Sequence, residues 1–450
     1  MREKNIDNPS FGYWILKHII CKYPYRYYYR KIEVYNKKVI HRNESVIVAP
    51  NHQNALMDPM YFATHLPWRS VFLARADVFN KPRIAKFLRF IKILPIYRIR
   101  DGVKSLKLNE EVFETCVQVL LRKQAPLCMF PEGNHGPKRM LRGLVKGVFR
   151  IAFKAQADFG ANEGVKIIPV GIDYKHFQKF RQTLLVNYGE PIEVSEYWKQ
   201  YEENPVDATN ALREKLSEEM KKLMIHIETD EYYDVYMGLR GLYNTHMRRK
   251  MGIKGKTLLD KFNADKEMIH KLDDTLSKEP EKIEILSNDF RKYAELRDKL
   301  NLRDWVFNKE RYSVLINIFN FLFGALISPS TIIGVIFNWP HLFIPPKFTG
   351  KLKDPQFTST VKWGIGTALM IVYYFIAAIC IIILIPNIWL KLACIVIMPL
   401  SGIWIFSVRK IFIKARARLR YTLLLKKNRD LTEAKKHRDK VLDMMEVILG

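Results

Sequence analysis

Cysteine is scarce in this 450-residue chain. Its five cysteines, Cys21, Cys116, Cys128, Cys380 and Cys394, are odd in number and form no CxxC pair. That excludes a disulfide framework and a zinc ribbon and fits a reducing compartment. The N-terminus lacks an uninterrupted apolar stretch with a small-residue cleavage site, so it does not read as a secretory signal peptide. No internal repeat or low-complexity tract is present. Acidic residues are the minority charge, 46 Asp and Glu against 74 Lys and Arg, for a net charge of +28. Such an excess repels itself unless an anionic surface is near, which admits nucleic acid, an acidic substrate or an anionic bilayer as partner.

Charge is missing altogether from residues 312–346, and from 364–408 except at Lys391. A bilayer core needs about 20 apolar residues per crossing helix. The second run therefore holds two crossing helices, near 363–385 and 389–408, with Pro386-Asn387 as the turn and tryptophans at the edges. The first run carries Ser328-Pro329-Ser330 in its middle. Two half-length arms suit a re-entrant hairpin, with a single tilted crossing or a surface flap as alternatives. Lys347, Lys351, Lys353 and Lys362, and the tail "RKIFIKARARLR" after Val408, flank these runs and favour the cytoplasmic side and anionic headgroups. The excess positive charge thus has a membrane use, and nucleic acid becomes the least favoured partner.

Within residues 1–45, Trp14, Ile15, Ile19, Ile20 and Tyr23 are spaced for one helix face, with Lys17, Lys22, Arg26, Arg30 and Lys31 around them, an interfacial helix pattern. Residues 46–195 alternate apolar strands ("SVIVAP", "SVFLARA", "PLCMFPEG", "VKIIPVGI", "TLLVNYGEP") with amphipathic helices at 108–123 and 139–157. This predicts an α/β domain with a mostly parallel central sheet flanked by helices. Residues 196–310 read as a charged helical insertion with a break at Lys278-Glu279-Pro280-Glu281. Residues 311–408 are the membrane-embedded segments, and 409–450 a basic cytoplasmic C-terminal helix.

Sites in such sheets gather where strands end. After "SVIVAP" come Asn51, His52 and Asp58; after "FIKILPIY" come Arg98, Arg100 and Asp101; after "PLCM" come Glu132 and Gly133. A histidine with an aspartate in reach is a general base with an orienting carboxylate. Arginine forks suit a phosphate, and a glycine turn lets backbone N–H groups approach an oxyanion. No Ser or Cys nucleophile stands beside the histidine, so direct attack of a substrate hydroxyl on a thioester is the economical chemistry. His135, in "GNHG", reads as a loop residue.

The segments "NHQNALMD", "LPIYR", "FPEG" and "IIPVGI" resemble, in order and approximate spacing, the four motifs of the PlsC-like glycerolipid acyltransferase superfamily, over roughly residues 10–195. The resemblance implies His52 as the base that deprotonates a glycerol hydroxyl and Asp58 as the holder of its imidazole. It makes Arg98 the acceptor-phosphate ligand and Glu132 and Gly133 the shapers of the acceptor pocket, Glu132 accepting from glycerol hydroxyls. Pro169, with Val170, would line the acyl channel, and Lys146 would be a secondary phosphate candidate; Asn51 joins the substrate-binding group. It implies no metal and no cofactor, with acyl-CoA or acyl-ACP as co-substrate. The leading acceptor is 1-acylglycerol 3-phosphate, with glycerol 3-phosphate or dihydroxyacetone phosphate as the alternative. One departure stands out: five residues separate His52 from Asp58 where the family has four. On a regular helix the extra residue would rotate the aspartate by about 100°, so the dyad requires a loop or bulge. The five-residue version resembles a fungal branch acting on glycerol 3-phosphate and dihydroxyacetone phosphate. A different class, a noncatalytic membrane-anchored lipid-binding adaptor, stays open.

Overall fold

Short β-branched runs bounded by turn residues become the strands of one mixed sheet in the computed structural model, which describes residues 6–97, 103–425 and 428–450. The strands are β1 (Lys31–Tyr35), β2 (Ser45–Pro50), β3 (Val71–Arg75), β4 (Ile93–Ile96), β5 (Leu127–Cys128), β6 (Val165–Tyr174), β7 (Thr183–Tyr188) and β8 (Ile192–Glu193). Their order is β1-β7-β6-β2-β5-β3-β4, with β8 on β6. Every pairing is parallel except β6 with β7 and with β8. The mostly parallel sheet of the sequence reading is therefore present, with two strands more, β1 and β8. β1, "KIEVY", is a short charged strand at the edge of the sheet, where its lysine and glutamate remain compatible with solvent.

β2 shows why the middle of this sheet is continuously apolar. All six of its residues are buried. Ile47 and Ala49 join the core on one face, with Val71, Leu127 and Ile167, while Val46 and Val48 join the other, with Phe72, Ile168 and Val170. The pleat sends alternate residues to opposite faces, and a parallel sheet covered on both faces needs apolar residues at every position.

Two compact units divide the chain. The first holds Met1–His226 together with Lys351–Trp363. It extends past residue 195 because helix Pro205–Leu223 places Ala208, Leu212, Leu216 and Met220 in the core. That helix lies so close to β6 that a Cβ on Gly171 would sit 1.8 Å from the Leu223 carbonyl oxygen. Backbone cannot yield as a flexible side chain does. Gly171→Ala is therefore expected to destabilise this unit by about 3 kcal/mol, the upper end of overpacking costs. A thermal-unfolding midpoint in detergent close to wild type would contradict that packing.

Two expectations about helices change. The helix expected over 139–157 spans only Gly147–Gln156. Residues 139–146 form a loop held by polar contacts, among them Arg139 to Asp173, Arg142 to Glu132 and the Leu141 N–H to His226 Nδ1. Near the N-terminus, Phe11–Ile15, a π-helical turn Leu16–Cys21 and Lys22–Tyr28 run consecutively. Phe11, Trp14, Ile19 and Tyr23 are exposed along it. Lys17 is not on the polar side: it is buried, donating to the carbonyls of Leu66 (2.7 Å) and Trp68 (2.5 Å). Burial, and then neighbouring cations, lower its pKa to about 8.

The second unit holds Ile227–Gly350 and Gly364–Gly450. Its helices Tyr233–Lys250, Leu258–Lys278, Pro280–Lys299 and Arg429–Leu449 are charged outside and apolar inside; one ends at Lys278 and the next begins at Pro280. Three stretches, Val314–Thr349, Pro355–Leu384 and Ile388–Leu424, are helices long and apolar enough to cross a membrane. Only 11%, 11% and 17% of their most apolar windows are buried, which argues against core helices, since the chain itself leaves their apolar faces uncovered.

The first of these does not reverse at Ser328-Pro329-Ser330. Gly324 faces Ile411 and Phe412, while Gly334, beyond the serines, faces Ser401 and Ile405. The stretch thus advances steadily along Ile388–Leu424, and the hairpin arms expected around that tripeptide are replaced by a 3-10 turn within one helical run. Ser328, Ser330 and Thr331 keep the turn helical by donating to the carbonyls of Ala325, Ile327 and Ser328. Asn338 joins the three apolar helices: its Nδ2 donates to Met398 O and Ser401 Oγ, and Tyr374 donates to its Oδ1. A satisfied amide is how polar side chains tie helices together in lipid. The chain is expected to stay in the membrane pellet after a high-pH carbonate wash and to need detergent for extraction. Release by carbonate alone would rule out insertion.

Candidate active site

The site is built at the carboxyl end of β2. Asn51 Nδ2 donates to Ile172 O (3.2 Å) and its Oδ1 accepts from Ile172 N (2.6 Å), so its amide continues the β2–β6 pairing one residue past the strand. The chain then leaves the sheet as a loop and enters helix Met57–His65. The extra residue between His52 and Asp58 is absorbed by Ala55, which adopts φ 34°. A positive φ in a residue with a Cβ costs about 1–2 kcal/mol, and the contacts of the aspartate offset it.

Asp58 is fully buried in the first turn of that helix, where the helix dipole favours a carboxylate. Its Oδ2 stands 2.8 Å from His52 Nδ1 and accepts from the N–H groups of Gln53 (2.8 Å) and Asn54 (2.7 Å). Its Oδ1 accepts from the Tyr174 hydroxyl at 2.6 Å. Burial, and then the Asp58 charge, push the Tyr174 phenol well above its ordinary pKa, so it remains a donor. A carboxylate only accepts, so the His52 hydrogen sits on Nδ1 and the lone pair is on Nε2. Phe130 stacks on the imidazole at 4.2 Å.

Glu132 lines the cleft beside His52, and both of its carboxylate oxygens are engaged. Its Oε1 accepts from the His52 N–H at 2.7 Å and its Oε2 from Arg142 Nε at 2.9 Å. It is buried and braces the His52 backbone. The Gly133 N–H bonds Phe130 O at 3.0 Å. Gly133 serves the turn itself, at φ 67°, where a Cβ would lie 2.8 Å from Val145. Lys146 is exposed at the start of helix Gly147–Gln156 and does not line the cleft. Pro169 is buried within β6, its carbonyl accepting from Gly189 N–H, and is likewise outside the cleft lining. Arg98, with Arg100 and Asp101, lies outside the described residues.

A cleft opens beside His52, lined also by Asn51, Gln53, Glu132, Lys138, Arg139 and Arg142. The sequence reading passed over these three cations and over Tyr174. Arg139 and Arg142 stood in a stretch taken for helix; their nearness to the "FPEG" turn was the available signal. Tyr174 is 116 residues from Asp58, and nothing in the sequence links the two.

Residues 31–173 match the protein-family profile described as Acyltransferase. Over that span the chain is similar to the acyltransferase family. Among curated proteins it is similar to glycerol-3-phosphate O-acyltransferase 1 of Saccharomyces cerevisiae, 30% identical over 126 residues, covering 27% of this chain and 16% of the relative. It is also similar to glycerol-3-phosphate O-acyltransferase 2 of the same yeast, 26% identical over 173 residues, covering 36% and 23%. The match thus spans less than a quarter of either relative. Among solved structures, the crystal structure of the 1-acyl-sn-glycerophosphate (LPA) acyltransferase PlsC from Thermotoga maritima aligns with 44% of this chain and 76% of its own. That alignment has 17% identity and a TM-score of 0.32.

Proposed function

We propose that the protein is a membrane-bound O-acyltransferase that moves an acyl chain from a thioester, acyl-CoA or acyl-ACP, to a hydroxyl of a glycerol phosphate. The observation that carries the reading is the His52–Asp58 pair at 2.8 Å beside a cleft lined by Lys138, Arg139 and Arg142. His52 Nε2 takes the proton of the acceptor hydroxyl as its oxygen attacks the thioester carbonyl. Asp58 stabilises the imidazolium, and collapse of the tetrahedral adduct breaks the C–S bond. The thiolate leaves with the proton returned by His52, so no covalent enzyme intermediate is needed. Arg98 keeps its assignment to the acceptor phosphate from its motif position.

The acceptor favoured by sequence reading, 1-acylglycerol 3-phosphate, gives way here to glycerol 3-phosphate, because both yeast relatives are named for it and the five-residue His–Asp spacing resembles that branch. The test is a panel of acceptors with one labelled acyl-CoA and the purified protein: glycerol 3-phosphate, dihydroxyacetone phosphate, 1-acylglycerol 3-phosphate and unphosphorylated glycerol. Glycerol 3-phosphate should be the best acceptor. Transfer to none of them, or equal transfer to glycerol, would sink the reading. The basic flanks of the apolar helices favour the cytoplasmic face for the catalytic unit; digestion of an N-terminal tag by protease added to sealed, cytoplasmic-side-out vesicles is expected, and protection of the tag would reverse the orientation.

A further inference from the structure

Residues 351–363 enter the catalytic unit from far down the chain, and their single carboxylate reaches the site. Asp354 Oδ2 stands 2.8 Å from His135 Nε2. His135 in turn meets the His52 ring edge-to-face, with centroids 5.4 Å apart and planes at 81°. Since Phe130 stacks on His52 at 29°, the imidazole has an aromatic ring against it in two orientations. The segment itself is pinned: Ser359 Oγ accepts from the Tyr28 hydroxyl at 3.0 Å, and Thr360 Oγ1 accepts from the Leu56 N–H, in the loop between His52 and Asp58, at 3.2 Å.

A second imidazole–carboxylate pair touching the first invites the plain explanation of a surface ion pair, since the Asp354 side chain is 43% exposed. Exposed pairs contribute little to stability. But His135 is only 12% exposed on its side chain and its ring faces the base, not solvent. Bonded to a carboxylate through Nε2, it has one ring orientation, and a ring of fixed orientation restricts the rotation of the one beside it.

We propose that His135 is a positioning residue for acyl transfer: Asp354 fixes its imidazole, and that imidazole holds His52 with Nε2 aimed at the acceptor hydroxyl. This rests on His52 being the base. A base turned away from its proton slows the chemical step without loosening substrate.

The test is steady-state kinetics of the full-length chain in detergent, varying acyl-CoA and glycerol 3-phosphate in turn. His135→Ala and Asp354→Ala should each lower kcat about 10- to 100-fold, in line with the effect of misplacing a reacting group, with both KM values within about two-fold. The double variant should be no slower than His135→Ala alone, because Asp354 acts only through His135. His135→Phe, which keeps a ring but no Nε2, should recover part of the loss and become indifferent to Asp354→Ala. If His135→Ala does not fold, the half-exposed Asp354→Ala and His135→Phe carry the comparison. Wild-type kcat in Asp354→Ala, losses that multiply in the double variant, or losses confined to KM overturn the proposal. His52→Ala, run alongside, separates the two ideas. An active His52→Ala removes the base itself, whereas an inactive one beside fully active His135 and Asp354 variants removes only the positioning role.

Discussion

His52→Ala is expected to lower acyl transfer by about 10²–10⁴-fold, the usual contribution of a positioned general base, while the protein still folds and inserts. The imidazole is the one side chain of the dyad with a free lone pair toward the cleft, and no neighbouring group substitutes for it. His135 is close, but it does not line the cleft that His52 faces. Stability should change little because His52 is held chiefly through its backbone: its N–H donates to Glu132 and its carbonyl accepts from the Gly136 N–H at 3.2 Å. Those bonds survive truncation to alanine. The losses should therefore appear in kcat, with KM for acyl-CoA nearly unchanged. A folded His52→Ala protein that turned over at the wild-type rate would leave the cleft without its chemistry and return the chain to the adaptor class.

Local patterns carried much of this architecture. β2 and β6 are legible because both of their faces are buried along the apolar stretches 46–50 and 167–172. The apolar helices are legible because charge is absent over residues 312–346 and, apart from Lys391, over 364–408. Two strands escaped: β1 is five residues long with Lys and Glu in it, and β8 is only two residues long. The stretch 139–146 was misread because basic and apolar residues there mimic helical spacing, while its conformation is set by tertiary partners, Glu132 and Asp173. The same limit applies to roles. His52 and Asp58 are six apart and share a motif, so their pairing is readable. Glu132 braces a backbone N–H 80 residues away, and Asp354 reaches His135 across 219. Contacts of that kind leave no periodic trace in a single sequence.

Asp58→Asn tests the charge of the dyad apart from its shape. Three donors, His52 Nδ1–H and the N–H groups of Gln53 and Asn54, converge on Oδ2, while Oδ1 faces the Tyr174 hydroxyl. An asparagine fits only with its carbonyl oxygen at the Oδ2 position, since the opposite flip would set an NH2 group against two backbone N–H donors. In the allowed orientation the amide nitrogen donates to Tyr174, whose hydroxyl turns to accept, and the His52 hydrogen stays on Nδ1. Geometry is kept, and the negative charge opposite the imidazolium is lost. We expect Asp58→Asn to fold normally and to lower kcat by about 10²-fold, the low end of a general base's contribution. Asp58→Ala should be worse in both respects, because it strands two buried backbone donors at about 1–3 kcal/mol each. Tyr174→Phe should be the mildest of the three, removing one of four hydrogen bonds and no charge. Kinetics and thermal unfolding of the three variants in the same detergent decide the matter: an Asp58→Asn protein with wild-type kcat would mean that His52 carries no positive charge along the reaction, and the base mechanism would fall with it.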